Sequence, residues 1–231
     1  MLIETQLSQP RVTATYDRFR PLTHRNLEEI CSNHNIDPAL YAEMNTMAQV
    51  LPFRVNQYVL NEVIDWEQAP DDPMFQLLFP NRRMLPEGEF EQLHALITRQ
   101  APKLEINARV AAIRALLNPH PAGQMELNVP GAEDADMGGI QHKYRETVLF
   151  FPAQGQTYHS YCSFCFRWAQ FIGDKDLRFS SGNVDELLEH LRAHPEVTDV
   201  LITGGAPMVM KTSHLRAYIE PLLAPEFKHI R

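Results

Sequence analysis

The chain has 231 residues, 44% of them hydrophobic and 22% charged, with a formal net charge of -8. That length buries a sizeable core in one large domain or two small ones, and an acidic balance with scattered Lys and Arg argues against a nucleic-acid partner. No run approaches the ~18 apolar residues of a membrane span, and the opening MLIETQLSQPRVTATYDRFRP has neither an apolar stretch nor a small-residue cleavage site, so a cytoplasmic protein with small-molecule partners is expected.

Between residues 21 and 49, Leu22, Leu27, Ile30, Leu40, Met44 and Met47 recur at helical spacing, and Asp37-Pro38 reads as a cap with its first-turn proline. Two helices follow from this. The stretch 52–86 is proline-punctuated and aromatic, which predicts an ordered loop region laid over a domain surface. Phe90, Leu93, Leu96 and Ile97, then Val110, Ile113, Leu116 and Leu117, predict two more helices broken near Pro102. Residues 1–117 thus form a mainly helical N-terminal region. Residues 118–143 are rich in Pro, Gly and acids without a periodic apolar face and read as a linker or long functional loop.

Residues 144–231 change character. TVLFFPA is a short buried-type strand, VDELLEHLRAH an amphipathic helix, and TDVLITGG an apolar strand that stops at paired glycines; SHLRAYIEPLL reads as a further helix and EFKHIR as the opening of another strand. Alternating strands and helices predict parallel βα units with ligands at the C-terminal ends of the strands. Three strands do not close a barrel. The expected fold class is α/β, a truncated partial barrel, with its completing residues beyond this sequence.

Three cysteines are too few for a disulfide framework, yet Cys162 and Cys165 stand at Cys-x-x-Cys spacing in the loop after the first of these strands. Thiolates so spaced reach one metal centre, zinc or iron–sulfur. Taken alone, the pair leaves open a partial metal site, a redox dithiol or two incidental thiols. A zinc-binding module using His159, Cys162 and Cys165 lacks a convincing second ligand pair.

The segment QTYHSYCSFCFRWAQF resembles the Cys-x-x-x-Cys-x-aromatic-Cys signature of radical S-adenosylmethionine (SAM) enzymes. Cys162, Phe164 and Cys165 match its last three defined positions, and Tyr158 stands at the first. HKYRETVLFFP, DVLITGGAPMVM and a helix ending in HIR follow the order and spacing of the lysine 2,3-aminomutase branch, and DDPMFQLLFP resembles its N-terminal Asp-Pro segment. The resemblance runs from about Pro52 to the end. It implies an incomplete radical SAM-type (βα) barrel that in complete form belongs to an isomerase, moving an amino group on an amino acid with a [4Fe-4S] cluster, SAM and pyridoxal phosphate (PLP). It makes Cys162 and Cys165 metal ligands and assigns Phe164, Gly204, Gly205, Ala206 and Pro207 to the SAM site. Arg167 would pair with the substrate carboxylate, which suits a guanidinium fork. The plainer readings are a surface arginine beside Trp168 and an ordinary strand-to-loop turn at the glycines. A homo-oligomer is left open.

Two positions depart from the family. Tyr158 replaces a cysteine, and a phenol, with a pKa of about 10 and a hard oxygen, is a poor substitute for a soft thiolate. Ala206 stands where the family often has an acid, which removes an acceptor for the SAM ammonium group. None of Lys103, Lys143, Lys175, Lys211 and Lys228 occupies the position of the family's PLP lysine. A catalytically inactive fragment or non-catalytic homologue is therefore the alternative to the enzyme.

Overall fold

A computed structural model describes residues 20–123, 125–130 and 138–231; the expectations for residues 1–19 and for the middle of the linker lie outside the described residues. Strand β1 (Pro21–Thr23) pairs antiparallel with β2 (Arg54–Asn56), enclosing helices α1 (Leu27–Asn33) and α2 (Pro38–Val50). Helix α2 starts where expected, since the Asp37 side chain accepts from the Ala39 amide at 2.7 Å and Pro38 needs no amide partner in the first turn.

The stretch 52–86 holds more structure than its prolines suggest. It contains β2, a π-helical turn at Val59–Val63 and helix α3 (Pro73–Leu78). Its aromatic residues turn inward: Phe75 and Phe79 stack at 4.4 Å, Trp66 meets both edge-on, and all join Leu27, Ile30 and Met44 in a first core. Elements of three to six residues are too short to show a period. Helices α4 (Glu87–Thr98) and α5 (Lys103–Leu116) follow as expected, with Pro102 as the N-cap residue of the second. Their apolar faces, with Met47 and Val50, form a second core that also receives Tyr161 and Trp168 from the cysteine loop.

The second sheet has three strands in the order β3 (Ile140–Tyr144), β4 (Thr147–Phe150), β5 (Asp199–Ile202). Strand β3 begins within the stretch read as linker, residues 118–143, and ends one residue past it. Its sequence IQHKY shows no alternation: neighbouring Ile140 and Gln141 are both buried, and a register irregularity follows between Gln141 and Tyr144. Strands β4 and β5 pair in parallel, joined across helix α6 (Val184–Ala193), so the expected βα unit is present. Helix α7 (Thr212–Ile219) follows. The closing segment differs from expectation: Pro225–Phe227 is a 3-10 turn rather than part of a strand. Arg231 nevertheless runs beside β5, donating to the Thr198 carbonyl at 2.7 Å and accepting from the Val200 amide at 3.1 Å. The architecture is mixed α/β with no closed barrel among the described residues, and no helix there is long and apolar enough to cross a membrane.

The buried Asp72 carboxylate caps α3 by accepting from the Phe75 amide at 2.7 Å. Asp72→Ala should lower unfolding free energy by about 1–2 kcal/mol, and the exposed cap lost in Asp37→Ala should cost less. Denaturant midpoints of the two variants measure this.

Candidate functional site

The parallel register ends with Phe150 opposite Ile202, and the Thr203 amide donates to the Phe150 carbonyl at 2.8 Å. Both strands therefore stop at one level, and the loops that follow them leave from the same edge of the sheet. They touch immediately. The Ala206 amide donates to the Thr157 carbonyl at 2.7 Å, and the Gln156 side-chain amide donates to the carbonyls of Pro152 at 3.0 Å and Thr203 at 3.4 Å. A Cβ on Gly205 would stand 2.2 Å from the Thr157 carbonyl oxygen, and Gly204 holds a φ of +112°. The glycine pair is thus required by the contact between the two loops.

Cys162 and Cys165 form a tight turn, closed by the Cys165 amide on the Cys162 carbonyl at 3.0 Å, and both thiols are free and half-buried. The Tyr158 hydroxyl lies 3.1 Å from the Cys165 sulfur and 3.3 Å from the Gly204 carbonyl oxygen. A phenol has one proton; donated to the carbonyl, it leaves the oxygen to accept from the thiol. The Tyr158 ring packs on Phe171 at 4.1 Å and Tyr161 at 5.7 Å. Burial pushes the Tyr158 phenol well above the usual range, with the Cys165 hydrogen bond adding to it, and burial also raises Tyr161. Burial raises the Cys162 thiol too, and neighbouring Cys165 raises it further. Such surroundings favour a neutral Cys162 thiol, the reverse of the electropositive settings that make thiolates.

Arg167 is half-buried, its guanidinium 4.4 Å from the Phe151 ring and 5.0 Å from the Phe166 ring, with one nitrogen 3.3 Å from the Gln141 side-chain oxygen. Burial lowers its pKa. It is therefore held in place on β3, unlike a loose surface arginine. Phe164 points outward at 76% exposure, and Pro207 opens a 3-10 turn.

Arg54, which carried no signal in the sequence, clamps the loop from β2 by donating to the Thr157 hydroxyl at 2.6 Å and the Tyr158 carbonyl at 3.0 Å. A cavity of about 670 Å³ borders the loop, lined in part by Arg54, Arg114, Gln156, Tyr158, Phe171 and Lys175.

The donor set does not fit a cluster held by three thiolates: two thiols face a phenol held protonated by its burial. His159 is exposed, and among the described residues the one group of three His, Cys or acidic side chains close enough for a shared ion is His142, His190 and His194. The glycine face assigned to SAM meets the carbonyls of Thr157 and Gly155, and Ala206 offers no acceptor.

No family model matches the chain. Sequence comparison finds the "Putative L-lysine 2,3-aminomutase" of Aquifex aeolicus, 27% identical over 189 residues, covering 82% of this chain and 39% of that protein. The L-lysine 2,3-aminomutase of Fusobacterium nucleatum is 30% identical over 100 residues, covering 43% and 23%, and that of Escherichia coli 31% over 98 residues, covering 40% and 26%. The chain spans less than two-fifths of the length of these curated relatives. Over these stretches the chain is similar to proteins named L-lysine 2,3-aminomutase.

Gly205→Ala should lower stability by roughly 1–3 kcal/mol, the cost of overpacking against a backbone atom, and should speed alkylation of both loop thiols by separating the loops. In the parent chain, alkylation of Cys162 should keep accelerating as pH rises past the ordinary thiol range, because the reactive thiolate forms only above it. Mass-resolved iodoacetamide labelling against pH reads both effects.

Proposed function

We propose that this chain is the N-terminal part of a lysine 2,3-aminomutase-like radical SAM protein, and that with Tyr158 in its cluster loop it is a non-catalytic homologue as it stands. In complete form, the resemblance implies PLP-assisted migration of an amino group on an amino acid, with a [4Fe-4S] cluster and SAM as the source of the radical. The observation that carries the reading is the Tyr158 hydroxyl, 3.1 Å from the Cys165 sulfur at the position of the missing first ligand.

The chain's own residues support this division. Arg167 stands at the position that the resemblance assigns to the substrate carboxylate, and its guanidinium suits that partner. The cluster side has no replacement ligand among the described residues. Cys31 is closed inside the first core, where burial pushes its thiol up to about 11. A neutral, buried thiol there is no ligand for the loop.

Anaerobic reconstitution with iron and sulfide tests the reading. The parent chain should retain almost no iron, Tyr158→Cys should raise retention several-fold by supplying a third soft ligand, and Tyr158→Ser should not. A parent chain holding about four irons, with a SAM-sensitive paramagnetic signal, would instead establish the enzyme reading.

A further inference from the structure

Away from the cysteine loop, three imidazoles converge. His142 comes from β3, His190 from the last turn of α6, and His194 is the C-cap residue of that helix, four positions on. One ring nitrogen from each lies within 4.8 Å of the others, and His190 Nε2 is 2.9 Å from His142 Nδ1. Tetrahedral zinc with Zn–N bonds of about 2.0–2.1 Å places ligand nitrogens about 3.3 Å apart. Small side-chain rotations therefore separate the present geometry from coordination.

The supporting contacts fit the same chemistry. His142 Nε2 lies 3.3 Å from the Arg145 carbonyl, which only accepts; with the proton there, Nδ1 accepts from His190 Nε2 in the 2.9 Å contact, and a metal ion would take the place of that shared proton. His194 Nδ1 lies 3.2 Å from a Glu196 carboxylate oxygen, which orients that ring and leaves a lone pair on Nε2. Outer hydrogen bonds of this kind fix the tautomers of metal-binding histidines. The register irregularity of β3 falls between Gln141 and Tyr144, so it takes in His142. Such irregularities re-aim side chains beside sites. His190 is buried, at 5% exposure, on a helix face otherwise made of Leu187, Leu188 and Leu191. Burial first, then the two neighbouring rings, lower its pKa to about 4, so it stands in the neutral form that ligates. The C-terminal end of α6 also carries the negative end of the helix dipole, which favours a cation.

We propose that His142, His190 and His194 form a binding site for one divalent transition-metal ion of the zinc type, with Glu196 orienting His194. Three imidazoles beside a carboxylate suit zinc, cobalt or nickel rather than magnesium or calcium. The ion would tie β3 to the end of α6. This site lies toward the N-terminal end of β4 and is independent of the cluster loop, so it stands whether or not that loop holds iron.

The test uses this chain with Cys162 and Cys165 both replaced by Ser, so that the loop thiols contribute nothing and the one remaining thiol, Cys31, is buried in the first core. Titration with zinc by calorimetry, and with cobalt by its tetrahedral visible absorption, should show one ion per chain and a raised unfolding midpoint. His142→Asn and His194→Asn should each weaken binding at least about tenfold, and Glu196→Gln on the order of tenfold, the range seen when supporting partners are lost. Unfolding transitions without metal establish that each variant is folded; if His142→Asn is not, the partly exposed positions 194 and 196 decide. No binding to the folded Ser-substituted chain, or unchanged affinity in the folded His variants, would overturn the proposal.

Discussion

The parallel pairing of β4 with β5 is the constraint on which the site depends. It brings the end of one strand level with the end of the other, so the cysteine loop and the Gly204-Gly205 turn must share a few ångströms of space. Only a backbone without Cβ atoms fits between the Thr157 carbonyl and the next turn. From that contact the position of Tyr158 follows, because its hydroxyl reaches the Gly204 carbonyl and the Cys165 sulfur together. The helical region adds a second hold: Arg54 binds the Thr157–Tyr158 segment, the Tyr161 amide donates to the Arg54 carbonyl at 2.8 Å, and the Ser163 amide donates to the Leu77 carbonyl at 2.7 Å.

These bonds bear on what replacing a thiolate by a phenol does. A cluster loop gains much of its order from its metal, since ligand bonds and folding are coupled. Here protein contacts also hold the loop. Each such hydrogen bond contributes a net ~0.5–1.5 kcal/mol, and Tyr158 adds apolar burial against Phe171 and Tyr161. The phenol therefore adds packing to the loop, and the same burial that makes it a good packing residue keeps it protonated and unfit as a ligand.

Legibility in the sequence tracked element length. Helices α2, α4 and α5 have twelve to fourteen residues, enough turns to repeat an apolar stripe, and the cap at Asp37 and the break at Pro102 were visible as residue types. The strands β4 and β5 could be read from TVLF and DVLI because both are apolar runs ended by Pro or Gly. Strand β3 could not, since it shows no alternation and its polar residues Gln141 and His142 take roles set by tertiary neighbours. At the site, the departure at Tyr158 could be read from spacing, whereas the hydrogen bond that gives the departure its chemical meaning needs residue 204 brought back across the sheet. Arg54 had no signal at all, because its partners lie more than one hundred residues away.

The three histidines show the same limit from the other side. His190 and His194 are visible as an i, i+4 pair in EHLRAH, a spacing that alone marks only one helix face. The third ring arrives from β3, and it does so because the hairpin of β3 and β4 lays that strand beside the helix that crosses from β4 to β5. One βαβ unit thereby gathers polar chemistry at both ends: thiols and a phenol where the parallel strands finish, imidazoles where the helix finishes. Burying His190 among leucines carries a desolvation cost that its one short contact with His142 only partly offsets. A bound cation would offset more of it by taking the lone pairs of all three rings, and that imbalance is the physical reason to look for a metal at this end of the unit as well as at the other.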